Sequence, residues 1–338
     1  MISIRKRLEQ SLAGGLVQQP VYAVYDWFVQ NRPIDWQELF DQGLGQVGHA
    51  SLITAFYPHA EKVETLTEDE KGPRRDVRWI TENGELHEWY RGEWRQEYLV
   101  KSPKDYAIIA KALEDTRFTF SDAAFDKAEA SIGESGITFG QLGDLIHEVR
   151  TPLQAIQIDF AGLERFSLDL SDETPQLMDL IEQMNEQWLE KFRMVRESGA
   201  HMIKLWENMS IVTMGPEIFR RFLVPLYRKF LKILEGTGKG IHVHFDGKLR
   251  PIASDIAGLP FAGIDSLTGL PEGDLSAAEA RALWPDKFFW LHPNLGWYQL
   301  PTAELKAAIR RTALDADNRF CMMISEEVPP DWHRSVPA

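Results

Sequence analysis

The chain has 338 residues, 44% of them hydrophobic, a formal net charge of -14 and a single cysteine, Cys321. So acidic a surface excludes nucleic acid and anionic membranes as partners, which require a basic face. A lone cysteine excludes an internal disulfide and a multi-thiolate zinc site and fits a reducing cytoplasm, and no apolar run approaches the ~20 residues of a membrane helix.

Met1 to Gly14 has basic residues but lacks the apolar core and cleavage site of a secretion signal. Val21–Tyr25, after Pro20, reads as a first strand. Val63–Val100 sets Trp79, Trp89, Tyr90, Trp94 and Tyr98 among alternating polar residues, with turns at Asn83-Gly84 and Arg91-Gly92. That is hairpin patterning, and it predicts a β insertion over about residues 60–100 across one end of the fold. Lys104–Leu113 and Pro175–Ser198 read as helices.

The second half alternates regularly. Met202–Trp206 is an apolar run. Pro216–Glu235 is helical, with Ile218, Phe219, Phe222, Leu223, Leu226, Phe230 and Leu234 at helical spacing, and Gly236 and Gly238 stop it. Ile241–Phe245 is a strand, Ile252–Ala257 a helix and Gly263–Leu267 a strand. Ser276 caps a helix through Leu283, with Glu279 completing a capping box. Phe288–Leu291 is a strand, Thr302 caps Ala303–Leu314, and Phe320–Ile324 is the last strand. The chain stops soon after that strand, so a closing helix is expected to be missing.

Five strand-then-helix steps, the last without its helix, imply a doubly wound sheet or a closed barrel. The strand-helix turns carry neither Gly-x-Gly-x-x-Gly nor a Walker loop, which favours the barrel. Without an internal repeat, a low-complexity tract or a linker, one domain spanning residues 1–338 is expected. Its predicted fold is a (β/α)8 TIM barrel with an N-terminal β-hairpin insertion.

The segment Gly240-Ile-His-Val-His-Phe-Asp-Gly247 hands a histidine and a carboxylate to a βα loop, the face on which barrels build active sites. His244 and Asp246, two residues apart on an extended segment, are expected to point the same way. Glu326 or Glu327, at the end of the last strand, would join them when the barrel closes. One imidazole and two carboxylates suit Zn²⁺, Fe²⁺ or Mn²⁺; the plainer reading is that His244 merely fixes the loop by a hydrogen bond. His242, one pleat away, is a further ligand or a satisfied interior histidine. Glu207 and Asn208 end the run Met202–Trp206, where one should face the mouth as ligand, base or substrate anchor, unless they cap the next helix. His292 and Asn294 end a later strand and read as pocket lining. Trp27, Phe28, Phe56, Tyr57 and Trp206 either wall an aromatic pocket or belong to the core. Cys321 reads as inert core.

Several segments together resemble the uroporphyrinogen decarboxylase superfamily. They are Ser198-Gly-Ala-His-Met-Ile-Lys-Leu-Trp-Glu-Asn-Met209, Gly215-Pro-Glu-Ile-Phe219, Phe222-Leu-Val-Pro-Leu226, Gly238-Lys239 and His244-x-Asp-Gly247. Ser102-Pro-Lys-Asp-Tyr106 and Ser325-Glu-Glu-Val-Pro-Pro330 fit as well. The likeness runs from about Gly92 onward, is nearer to the cobalamin-dependent methyltransferase branch, and implies a (β/α)8 barrel. The decarboxylase branch grips a polycarboxylate with arginines after the first strand. Here Tyr25-Asp-Trp-Phe-Val-Gln-Asn-Arg32 offers only Arg32, and Asp26 has the wrong sign. The methyltransferase branch binds zinc through His-x-Cys and a later Cys. His244 matches the histidine, Asp246 replaces the first cysteine, and Glu326 stands near the second.

The resemblance therefore implies a cytoplasmic, metal-dependent methyltransferase. Its divalent ion, zinc by the family pattern, would be held by His244, Asp246 and Glu326. It would move a methyl group from a small, methoxylated substrate to a corrinoid on a partner protein. Glu207 and Asn208 would act as the catalytic pair, with His242, Trp206, Tyr25, His292 and Asn294 around the substrate. The alternatives are a carboxy-lyase that works without metal and a non-catalytic ligand-binding barrel.

Overall fold

A computed structural model describes residues 2–15, 19–30, 34–143 and 150–324. Eight short strands, labelled here in chain order, form one sheet: β1 Val21–Tyr25, β2 Gly45–Ser51, β3 Gly136–Gln141, β4 Met202–Leu205, β5 Gly240–His244, β6 Gly263–Leu267, β7 Phe288–Leu291 and β8 Phe320–Met323. Each runs parallel to its neighbours in the sequence, and β8 pairs with β1, so the sheet closes. With helices in the connections, this is a (β/α)8 TIM barrel.

Most of the strands are mainly apolar because parallel strands covered by helices are largely buried on both faces. Every residue of β6, β7 and β8 is buried. Two strands escape a reading of the sequence, β2 (Gly-Gln-Val-Gly-His-Ala-Ser) and β3 (Gly-Ile-Thr-Phe-Gly-Gln). Both are rich in glycine because neighbours take the room of a side chain. A Cβ on Gly136 would lie 1.8 Å from the carbonyl oxygen of Gln46, and one on Gly140 would lie 2.6 Å from Leu52 Cδ1.

Local chemistry explains other departures. The helix expected over Pro216–Glu235 is Pro216–Ile218 and Val224–Leu234 with a π turn, Phe219–Leu223, between them. Pro225 brings no N–H to the ladder there, so the turn widens. The box at Ser276 forms as expected: its hydroxyl accepts from the N–H of Glu279 at 3.2 Å, and the Glu279 carboxylate accepts from the N–H of Ser276 at 2.9 Å. Thr302, expected as a cap, is instead the first helical residue of Thr302–Ala316, with Pro301 at the cap position.

The chain forms two compact units. The first lies within Met1–Leu52, Ser121–Leu142 and Arg196–Ala338 and contains the barrel. Its core joins Val21, Ala23, Val47, Ile137, Trp290 and Met323 of the strands to Leu8 of the helix Ile4–Leu12. Ser11 of that helix donates to the carbonyl of Asn318 at 2.6 Å, which ties it to the start of β8. The second unit, Ile53–Phe120 with Gly143–Val195, contains an antiparallel meander of Glu61–Asp69, Gly72–Thr81, Gly84–Arg91 and Trp94–Glu97. The hairpin pattern of the sequence falls on this meander. Arg74 lies over the ring of Trp89 at 4.3 Å and Arg75 over that of Tyr90 at 4.0 Å. Among the described residues no helix is long and apolar enough to cross a membrane.

Candidate active site

Inside the barrel, Asp265 of β6 gathers side chains from four other strands or strand ends. Lys204 of β4 donates to its Oδ2. Tyr25, the last residue of β1, donates to Oδ1 at 2.7 Å. His244, the last residue of β5, places Nδ1 2.8 Å from Oδ2. His292, just after β7, brings Nε2 to 3.9 Å from Oδ1 and to 3.4 Å from the Tyr25 hydroxyl. Lys204 also donates to that hydroxyl at 3.3 Å. The Lys204 and Asp265 side chains are both 0% exposed.

The strands set this geometry. Residues paired across parallel strands share a face, and His244 pairs with Asp265. Directly after Asp265 the register shifts between Ile264 and Leu267, and Ser266 takes φ +59°. A bulge of this kind re-aims the side chain beside it. Tyr25, His244 and His292 lie at the carboxyl ends of their strands, the end that carries chemistry in this fold.

Burial on its own would raise the Asp265 carboxyl, but the Lys204 ammonium, the hydrogen bond of His244 and the nearby His292 ring hold it well below its ordinary value. The carboxylate is therefore ionised and saturated with donors. Such a group holds its partners in place; it is a poor base.

Two flanking layers complete the region. Below the cluster, the indole of Trp290 donates to Nδ1 of His242 at 3.0 Å. Burial, with Lys204 adding to it, pushes His242 down to about 3, so this ring is a neutral interior histidine. It occupies the space over Gly263, whose Cβ would lie 2.3 Å from Nδ1. Beside the cluster, half-buried Trp206 lies 5.1 Å from the His244 ring and 5.3 Å from that of His49, with the Lys204 ammonium 4.3 Å above it. His49 of β2 places Nδ1 3.1 Å from Asp26 Oδ1.

Tyr25, Trp206, His244 and His292 thus come together around Asp265. Asp246 lies past the end of β5, half-buried, where strand alternation no longer sets its direction. Glu326 lies outside the described residues, as does Arg32. Glu207 is fully buried and accepts from the Tyr227 hydroxyl at 2.5 Å, whereas Asn208 is exposed. Burial, then Glu207, raises Tyr227 well above its ordinary value. Asn294 donates to the Gly269 carbonyl at 2.9 Å and to Glu272, which fastens the loop after β6. His292 and Asn294 also line a cavity of about 510 Å³ with Leu267, Leu291, Trp297 and Arg311. Phe28 packs in the core against Trp36, while Phe56 belongs to the second unit and is 61% exposed. Cys321 is buried, and burial raises its thiol.

Lys204, Asp265 and His49 were not singled out from the sequence. The first two carried a signal: a charged residue inside an apolar strand is buried, and a buried charge demands a partner. His49 did not, because its strand was unread.

The second unit has a polar cluster of its own. Arg95 pairs with buried Glu88 at 3.0 Å and donates to the Ile158 carbonyl at 2.7 Å. On the neighbouring π turn Ile156–Ala161, Asp159 lies 3.5 Å from Arg150, and burial pushes its carboxyl up to about 6.

No family model and no curated protein matches the sequence. Among solved structures the chain is similar to a methyltransferase from Methanosarcina mazei, with a TM-score of 0.56 and 14% identity over 100% of this chain and 98% of that one. It also aligns with a xylose isomerase domain protein from Planctomyces limnophilus, with a TM-score of 0.38 and 10% identity over 94% of this chain and 92% of that one. The first likeness bears on the fold; the second is too weak to bear on anything.

Proposed function

We propose that the chain is a cytoplasmic enzyme of the methyltransferase kind, which moves a methyl group from a small, methoxylated molecule to a corrinoid carried by a partner protein. The observation that carries an active centre is the Lys204–Asp265–His244–Tyr25 network at the carboxyl ends of the strands. Burying charges is expensive, and perturbed, paired groups gather where chemistry is done. Methyl transfer as the reaction rests on the resemblance of the motifs and on the likeness of fold.

Asp265 holds Lys204, Tyr25 and His244 in fixed positions. The Lys204 ammonium stabilises an oxygen that gains negative charge as its methyl group departs. Tyr25 and His292 orient that oxygen. Asn208, on the exposed loop after β4, contacts the substrate, and Glu207, held by Tyr227, positions that loop.

The implied metal fits in part. A metal-binding histidine usually gives its other nitrogen to a carboxylate; Asp265 stands 2.8 Å from Nδ1 of His244, and Nε2 would be the coordinating atom. Asp246 would add an oxygen, and Glu326 would be the third ligand. Among the described residues no group of three or more His, Cys, Asp or Glu side chains is placed to hold an ion. When bound, a divalent ion there supplies Lewis acidity. The test is elemental analysis of the purified protein. A stoichiometric divalent metal is expected, lost in His244→Ala and to chelator together with methyl transfer to cob(I)alamin. Full transfer by metal-free protein, or metal retained by His244→Ala, would overturn this reading.

A further inference from the structure

We propose that His49 is the hydrogen-bond acceptor for a ligand made of a flat ring with one hydroxyl or ring N–H donor, an inference that rests on reading the barrel mouth as the ligand site. Asp26 is fixed by two backbone donors, the N–H of Trp27 to Oδ1 at 2.9 Å and the N–H of His49 to Oδ2 at 3.1 Å. Its Oδ1 faces Nδ1 of the His49 ring at 3.1 Å. A carboxylate accepts, so Nδ1 carries the proton and Nε2 presents its lone pair. Burial lowers the affinity of this ring for a second proton; the Asp26 hydrogen bond opposes that, the Lys204 charge reinforces it, and Asp265 opposes it. The ring is neutral near pH 7.

The His49 side chain is 6% exposed, and its Nε2 is shielded from solvent with no hydrogen-bond partner among the described residues. Leaving a buried acceptor unsatisfied costs about 1–3 kcal/mol. Its neighbours are rings: Phe139 stacks at 5.7 Å, Tyr25 meets it edge-on at 5.1 Å and Trp206 lies at 5.3 Å. A planar ring matches those walls by stacking and brings the one donor that Nε2 lacks. The Lys204 ammonium above Trp206 favours a ligand donor with partial negative charge on its heavy atom. Trp206 is half-buried and the Asp26 side chain is 28% exposed, so this rim meets solvent.

Phenol and anisole test the assignment, since they share size and ring and differ in the donor. With the whole chain, calorimetry should show phenol binding at least tenfold more tightly than anisole. The ¹⁵N resonance of His49 Nε2 should move with phenol and stay still with anisole. His49→Phe should erase the preference while leaving anisole affinity unchanged. Should that variant not fold, Asp26→Asn, which releases the tautomer, is expected to reduce the preference several-fold. Equal affinities in the wild type, no binding of either probe, or a preference that survives His49→Phe would overturn the proposal. Phenol preference without any methyl transfer would count against the reaction and leave the His49 assignment standing.

Discussion

Lys204→Met keeps most of the buried stem and removes its charge. Both members of the Lys204–Asp265 pair are fully buried, so the substitution leaves a carboxylate inside the barrel without its cation. Breaking such a pair costs about 3–5 kcal/mol. Asp265 keeps the Tyr25 hydroxyl and His244, which places the expected loss near the lower end, about 3 kcal/mol. At roughly 1–2 °C per kcal/mol for 338 residues, Tm should fall by about 3–6 °C. The acid limb should move as well. In the wild type the folded pKa of Asp265 is depressed, so its share of stability is present above its unfolded value and is lost as pH falls through the lower folded one. Without the Lys204 ammonium, burial is opposed more weakly, the folded pKa rises, and acid unfolding starts at a higher pH. Thermal melts by circular dichroism from pH 3 to pH 8 read both effects. A loss below about 2 °C with an unmoved acid limb would refute the reasoning, because a buried ion pair broken on one side must register.

Asp159 should show the opposite pH dependence. Its folded pKa is raised to about 6 from 3.8, so the folded chain holds that proton more tightly than the unfolded one. Stability is present below the unfolded value and lost as pH rises through the folded one, a change of about 3 kcal/mol at 1.36 kcal/mol per pH unit. Asp159→Asn should flatten the urea midpoint between pH 4 and pH 7, and an unchanged slope would reject the shift. Gly263→Ala places a Cβ 2.3 Å from Nδ1 of His242 and should cost about 1–3 kcal/mol by urea titration. A neutral result would mean that His242 does not sit over β6. Cys321 should stay unreactive to a thiol reagent in the folded chain and react on unfolding, since it is 0% exposed and burial raises its thiol.

Six of the eight strands were legible because Val, Ile, Leu and Phe runs bounded by glycine or loop residues mark buried parallel strands. β2 and β3 were not. Gly136 and Gly140 stand where neighbouring atoms forbid a side chain, and that pressure removes the β-branched residues on which a strand is recognised. His244 was legible from its place at the end of β5. Its partner was not: the spacing His244-x-Asp246 points to a carboxylate nearby in sequence, while closure of the barrel supplies Asp265 from the next strand. Lys204 stands inside an apolar run, where its charge is the strongest mark. The sequence shows only the sign of Asp26, and its role in orienting His49 emerges when β2 is laid beside β1.

The most direct test of the account is single-turnover methyl transfer to cob(I)alamin from a panel of small methoxylated compounds, followed by the change in corrinoid absorbance. Wild-type protein should methylate the corrinoid with at least one donor, and Asp265→Asn should slow that step by two orders of magnitude or more while the barrel still melts cooperatively. Transfer at an undiminished rate in Asp265→Asn, or none in the wild type with any donor, would contradict it.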